Sequence, residues 1–255
     1  MSSGQWLRLT GDQIGVLLAF ASLTACALET EDPARRAILS SAVSTGMIAQ
    51  MALDEGFPHE ETLTGFKWLG GRAINRKDVL FAFEEALGYM WPAVCYDKDG
   101  ITAAAVFLRA MATWRQEENL TPWGKLQQLY TRHGFFDNLN TYFRSMDPTT
   151  TTSMLFEKIR QFGKPFPAFV GDRKVLRWRD LTIPFDSANP PSYTPTLPSV
   201  SSDSPMITCW LAGKCQGTHT DESVALDHGV RFTVRASGTE PKVKRKIFLT
   251  PSRRK

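Results

Sequence analysis

From Thr10 to Gly134, short unbroken apolar runs alternate with segments of helical period, and that alternation leaves few folds open. Ala37-Ile38-Leu39, closing on Ser40-Ser41, and Val79-Leu80-Phe81-Ala82-Phe83 read as short buried strands. Glu60 to Leu63 is strand-like. Between them lie the helices. Thr10-Gly11-Asp12 is a start signal, with Thr10 or Asp12 as N-cap, ahead of Ile14, Leu17, Leu18 and Ala21 at helical spacing. Met47, Ile48, Met51 and Ala52 form a second helix that Gly56 stops. Phe66 to Ala73 and the alanine-rich Ile101 to Gln116 follow. Pro122 opens a last helix, whose apolar face is Leu126, Leu129 and Tyr130. The expected fold class is α/β: a mostly parallel sheet flanked by helices. Ligands on such sheets bind at the carboxyl ends of the strands. Thr64-Gly65 and Glu84-Glu85 both stand just past predicted strands, which places them on that edge.

A second region begins near Tyr142 and reads as α+β. Thr149 to Thr152 leads into a helix over Met154 to Phe162, Val175 to Arg179 is a strand, and so are Met206 to Leu211 and Val230 to Val234. Ile183 to Pro205 holds six prolines and many serines and predicts a long surface loop, too polar to pack. Gly213 to Asp227 predicts a polar insertion between two strands that a hairpin would normally join.

The net charge of +4 conceals an uneven distribution. Seven of the 30 basic residues fall between Lys242 and Lys255 with no acid among them; without them the body is mildly acidic. No aromatic interleaving or binding motif accompanies that tail, which argues against a nucleic-acid partner. Cys26, Cys95, Cys209 and Cys215 match no zinc spacing. Cys209 and Cys215 can meet across a hairpin, but four reduced thiols of a cytoplasmic protein is the reading favoured. The apolar run Ile14 to Leu28 lacks the charged flank of a signal peptide and is too short for a membrane span, so it predicts a buried helix. His59, His133, His219 and His228 have no evident partner and read as surface or loop histidines. Trp68 reads as a core aromatic.

The candidate chemistry lies in three places. Val230 to Val234 empties into Arg235-Ala236-Ser237-Gly238-Thr239-Glu240-Pro241-Lys242-Val243-Lys244. Backbone N–H groups of such a turn, its hydroxyls and an Arg fork suit a phosphate; a polar hairpin turn with solvated charges fits the residues equally. Glu84 can accept two sugar hydroxyls, with Gly88 letting the chain turn near a ligand; the alternative is a solvated Glu-Glu pair. Thr64-Gly65-Phe66-Lys67 offers a hydroxyl, a close backbone and an ammonium at a helix N-terminus, where anions are favoured; a surface lysine is the alternative for Lys67.

Arg-x-Ser-Gly-Thr-Glu-Pro-Lys-x-Lys resembles the phosphate-binding loop in the last domain of the α-D-phosphohexomutases. Glu61-Thr62-Leu63-Thr64-Gly65-Phe66-Lys67-Trp68-Leu69-Gly70 resembles the same family. So does Phe83-Glu84-Glu85-Ala86-Leu87-Gly88-Tyr89 with Asp97-Lys98-Asp99-Gly100, and all three stand in the family's order. The wording is nearest to the branch of phosphopentomutases and the second type of phosphoglucomutase, and the likeness runs from about Leu9 to Lys244.

The resemblance implies sugar binding by Glu84, Thr64, Gly65, Lys67 and Lys98, and phosphate binding by Arg235, Ser237, Gly238, Thr239 and Lys244. It implies Mg2+ and a sugar-bisphosphate activator in the complete enzyme, sugar phosphates as small-molecule partners, and no membrane partner. The family's phosphoserine loop and its Asp-rich magnesium loop do not occur in the sequence. The expected organisation is therefore a remnant over residues 1–8, a sugar-binding α/β domain over 9–140 and an incomplete α+β phosphate-binding domain over 141–255. Such a chain is a partial phosphotransferase, or alternatively a non-catalytic sugar-phosphate-binding module or a non-functional truncated product. Ala86 leans toward a pentose-tolerant site. Ser44-Thr45-Gly46 departs from the family, which often carries a lysine there.

Overall fold

The computed structural model describes residues 6–27, 36–144, 148–189, 197–200, 204–213, 229–237 and 242–249. The chain divides between His133 and Gly134 into two units.

The first unit is built, among its described residues, of four strands and five helices. Its order is α1 (Gly11–Ala27), β1 (Ala37–Ser41), α2 (Met47–Glu55), β2 (His59–Thr62), α3 (Phe66–Asn75), β3 (Val79–Glu84), β4 (Gly88–Met90), α4 (Gly100–Glu117) and α5 (Pro122–His133). The sheet order is β2-β1-β3-β4. β2 and β3 both run parallel to β1, and β4 folds back antiparallel on β3. β1 is central and buried along its whole length, which is why Ala37-Ile38-Leu39 shows no polar alternation. On one face Ala37, Leu39, Val79, Ala82 and Met90 pack with Phe66, Leu69 and Ala73 of α3. On β3, Phe81 and Phe83 are fully buried and their rings stack at 5.9 Å. Trp91 lies 4.8 Å from the Phe81 ring and donates its indole N–H to Ser22 of α1.

The helix termini follow local chemistry. Thr10 and Gln13 form a reciprocal cap on α1, Gln13 N–H to Thr10 Oγ1 at 3.3 Å and Thr10 N–H to Gln13 Oε1 at 2.8 Å. Thr10 is thus the cap residue, and Asp12 has another task. Gly56 ends α2 with φ 79°, its N–H bonded to Ala52 O. Asp99 caps α4 by accepting from Ile101 and Thr102 N–H.

The second unit holds β5 (Asp137–Arg144), α6 (Pro148–Gln161), β6 (Phe169–Val170), β7 (Arg173–Asp180), β8 (Phe185–Asp186), β9 (Met206–Leu211), β10 (Val230–Ala236) and β11 (Lys242–Leu249). The strands run β5-β11-β10-β9-β7-β6, with β8 beside β7. The pairs in this order are all antiparallel. One face of the sheet carries Val175, Trp178, Ile207, Cys209, Val230, Val234 and Val243, packed with Leu155, Phe156 and Ile159 of α6.

Several expectations change. The border drawn at residue 140 falls inside β5, whose polar run gives no strand signal and whose partner is β11. The threonine run lies within α6, which starts at Pro148. The Pro-rich stretch does pack where it is described. Asp186 pairs with Arg177 at 2.5 Å, Leu197 is buried, and Val200 N–H bonds Leu181 O. His133 is a core residue, its ring nitrogens 2.7 Å from Asp54 and 3.1 Å from Glu55. His59 bonds Ser40 at 2.9 Å. Trp68 is not in the core; it is 38% exposed. Cys26, Cys95 and Cys209 are free thiols, and burial pushes the Cys209 thiol up to about 12. Cys215, His219, His228, most of the insertion and the end of the basic tail lie outside the described residues. Among the described residues no helix is long and apolar enough to cross a membrane.

Candidate sugar edge and phosphate strand

Parallel pairing brings the carboxyl ends of β1, β2 and β3 to one edge, with Ser41 in register with Thr62 and Ser40 with Phe83. From that edge emerge three segments: Ala42 to Gly46, Leu63 to Gly65, and the Glu85 to Leu87 turn.

Glu84 is the hub. Its Oε2 accepts the Gly65 N–H at 3.2 Å, so the carboxylate sits where the free N–H groups of α3 begin. Gly65 has φ 103° and ψ 142°, a conformation strained for any residue with a Cβ. Thr64 is half-buried beside it. Gly88 completes the hub. A Cβ there would lie 2.3 Å from the Phe66 ring and 2.9 Å from Glu84 Cγ, so glycine alone lets ring and carboxylate stand together. Lys98 Nζ lies 5.4 Å from the centre of the same Phe66 ring. Its loop runs close because Gly70 of α3 has no side chain; a Cβ would meet Tyr96 O at 2.3 Å. Glu84, Gly65, Thr64 and Lys98 are therefore drawn together around Phe66. Lys67 is exposed and turns over the Trp68 ring at 5.6 Å.

The edge holds groups the sequence did not single out. Ser41 Oγ and Ser44 Oγ lie 2.8 Å apart, and Ser41 also donates to Glu85 Oε2 at 3.3 Å. Glu85 is thus engaged rather than merely solvated. Asp12, buried on α1, accepts the Thr45 N–H at 2.8 Å. Tyr89 donates its hydroxyl to Gly11 O at 3.0 Å, and burial, then the Asp12 charge, push its phenol above the ordinary value. A buried polar run after a strand was the one signal for Ser41 and Ser44; Asp12 gave none beyond a cap.

In the second unit, Arg235 is the last residue but one of β10, in register with Lys244 of β11 and Met206 of β9. Ser237 N–H bonds Lys242 O at 2.9 Å, extending the ladder past Ala236. By strand alternation Arg235 and Lys244 share the face opposite the apolar one, as do Thr233 and Thr208, whose hydroxyls meet at 3.0 Å. Arg235, Ser237 and Lys244 are half-buried. Gly238 and Thr239 lie outside the described residues. Two cations and a hydroxyl converging at a strand end can hold an anion. No three His, Cys, Asp or Glu side chains gather as a metal site among the described residues, so these residues do not fit magnesium.

Residues 10–132 match the family described as phosphoglucomutase/phosphomannomutase, alpha/beta/alpha domain III. A phosphoribomutase of Saccharomyces cerevisiae is 41% identical over 256 residues, covering 96% of this chain and 39% of that protein. A human glucose 1,6-bisphosphate synthase is 35% identical, covering 95% of this chain and 37% of that protein. Among solved structures, the Paramecium phosphoglucomutase pp63/parafusin, in its open form, aligns with a TM-score of 0.58 at 16% identity, over 98% of this chain and 38% of that one; it bears on the fold alone. The chain spans well under half the length of these curated relatives.

Proposed function

The chain belongs to the α-D-phosphohexomutase family, and on that footing we propose that it is the sugar- and phosphate-recognising part of a phosphopentomutase- or phosphoglucomutase-type enzyme. The reaction is intramolecular phosphoryl transfer on a sugar phosphate, ribose 1-phosphate to ribose 5-phosphate or glucose 1-phosphate to glucose 6-phosphate. The relative named as a phosphoribomutase and the alanine at position 86 favour the pentose. Glu84, Thr64, Gly65, Lys67 and Lys98 take the sugar, and Arg235, Ser237, Gly238, Thr239 and Lys244 take the phosphate. A sugar bisphosphate is the activator, in keeping with the relative named as a glucose 1,6-bisphosphate synthase. This chain's own residues orient the sugar and neutralise phosphate charge. We place the protein in the cytoplasm, a reading that the free thiols support.

The observation that carries this reading is the Glu84 carboxylate, held by Gly65 N–H at the carboxyl edge, with Lys98 over the Phe66 ring. It is tested by calorimetric titration of the chain with ribose 5-phosphate and glucose 1,6-bisphosphate. Glu84→Gln keeps an acceptor for Gly65 but loses the charge that grips hydroxyls. Affinity is expected to fall about tenfold, the worth of a charged hydrogen bond, with the melting temperature little changed. No binding by the wild-type chain at millimolar ligand overturns the reading.

A further inference from the structure

The first turn of α1 touches two of the loops on the sugar edge. Asp12 is 3% exposed and bonds Thr45 N–H in the loop after β1. One residue earlier, Gly11 lies against the β3–β4 turn. A Cβ there would stand 2.0 Å from the Glu85 carbonyl oxygen and 3.2 Å from Leu87 N. Leu87 itself holds a positive φ of 63°, so that turn has little freedom to retreat. Tyr89, on the strand leaving the turn, closes the ring by donating to Gly11 O. A buried carboxylate is costly unless its bonds require it. Capping does not require this one, since Thr10 and Gln13 already cap the helix. What Asp12 does instead is fix a backbone amide 33 residues away, in the loop whose Ser44 joins Ser41, and through it Glu85.

We infer that Asp12 is a positioning residue: it clamps the Ser41–Gly46 loop beside the Glu84–Glu85 turn, so that both loops address the same sugar phosphate. For its ligand this rests on the sugar-phosphate reading; for the clamp itself it does not. The Ser41–Gly46 stretch contains no lysine or arginine, which leaves the loop's hydroxyls and backbone as its means of contact, and these act only if held in place.

The test uses the whole chain with Asp12→Ala and Asp12→Asn, reading Thr45 amide hydrogen exchange by NMR and titrating ribose 5-phosphate and glucose 1,6-bisphosphate. Thr45 is expected to be protected in the wild type and to exchange at least about tenfold faster in Asp12→Ala, while Ile38 and Phe81 amides keep their rates. Asp12→Asn retains an acceptor and should stay within about threefold of wild type. Ligand affinity should track Thr45 exchange, falling about tenfold in Asp12→Ala alone. Faster Thr45 exchange with unchanged affinity overturns the positioning role. Unprotected Thr45 in the wild type overturns the clamp without any variant, and so decides the matter even if Asp12→Ala does not fold. If the wild type binds neither sugar, the sugar-phosphate reading falls, and the clamp stands or falls on exchange alone.

Discussion

Gly88 shows how much of the site depends on a missing side chain. It sits between the Phe66 ring and Glu84, with room for neither to move aside without the other. Gly88→Ala should therefore cost about 1–3 kcal/mol of stability, the usual penalty of overpacking. It should also displace the carboxylate that Gly65 holds, weakening sugar binding together with the melting transition. A variant that melts like wild type and binds as well would show that the hub tolerates the methyl. Glu84 was legible in the sequence because it ends an unmistakable apolar run, and Thr64-Gly65 because it follows a strand-like stretch; strand ends on a parallel sheet share an edge. Asp12 was not. Its neighbours in sequence explain it fully as a helix-start residue, and only the packing of α1 against β3 and α2 gives it Thr45. His133 escaped for the same reason, because its two carboxylate partners come from α2.

Among elements, α6 is the one helix described in the second unit, and it holds the sheet through Leu155, Phe156 and Ile159. Phe156 is 1% exposed. Phe156→Ala should cost about 3–5 kcal/mol, read as a lower denaturant midpoint and loss of protection in β9 and β10. Unchanged protection there would mean that the sheet does not need the helix. β1 and β3 were readable because burial on both faces writes continuous apolar runs; β4 was not read as a strand. β5 was not readable: Asp137-Asn138-Leu139-Asn140 has the composition of a turn, and it becomes a strand only through Lys242 to Leu249. β8, two residues long beside β7, is likewise made by its tertiary neighbours.

For the molecule as a whole, the carboxylates set the response to acid. Burial tends to raise Glu60, but hydrogen bonds from Arg72 and Arg76 outweigh it and hold the carboxyl below its ordinary 4.5. Hydrogen bonds from Arg76 hold Asp78 below 3.8. Asp186 is below 3.8 as well, where Arg177 outweighs burial. In each case the unfolded chain takes up protons first as pH falls. Their contribution is complete above the ordinary carboxylate range and is lost as pH drops through the depressed folded values. The urea midpoint should be level down to about pH 5 and fall steadily below about 4.5. Glu60→Gln should flatten part of that fall, and a midpoint unchanged to about pH 3 would contradict the account.

The pairing of β5 with β11 sets a timetable for synthesis. Arg245 Nε meets Thr141 Oγ1 across 104 positions of sequence. By the time His133 leaves the ribosome, every strand and helix described in the first unit is available, and its contacts are local enough to form on the nascent chain. β5 emerges next and must wait, unpaired, while roughly a hundred more residues are translated before its partner exists. During that interval a strand bearing Leu139, Tyr142 and Phe143 is open to other chains on the same message, so the second unit is where crowded polysomes and chaperones would first take hold.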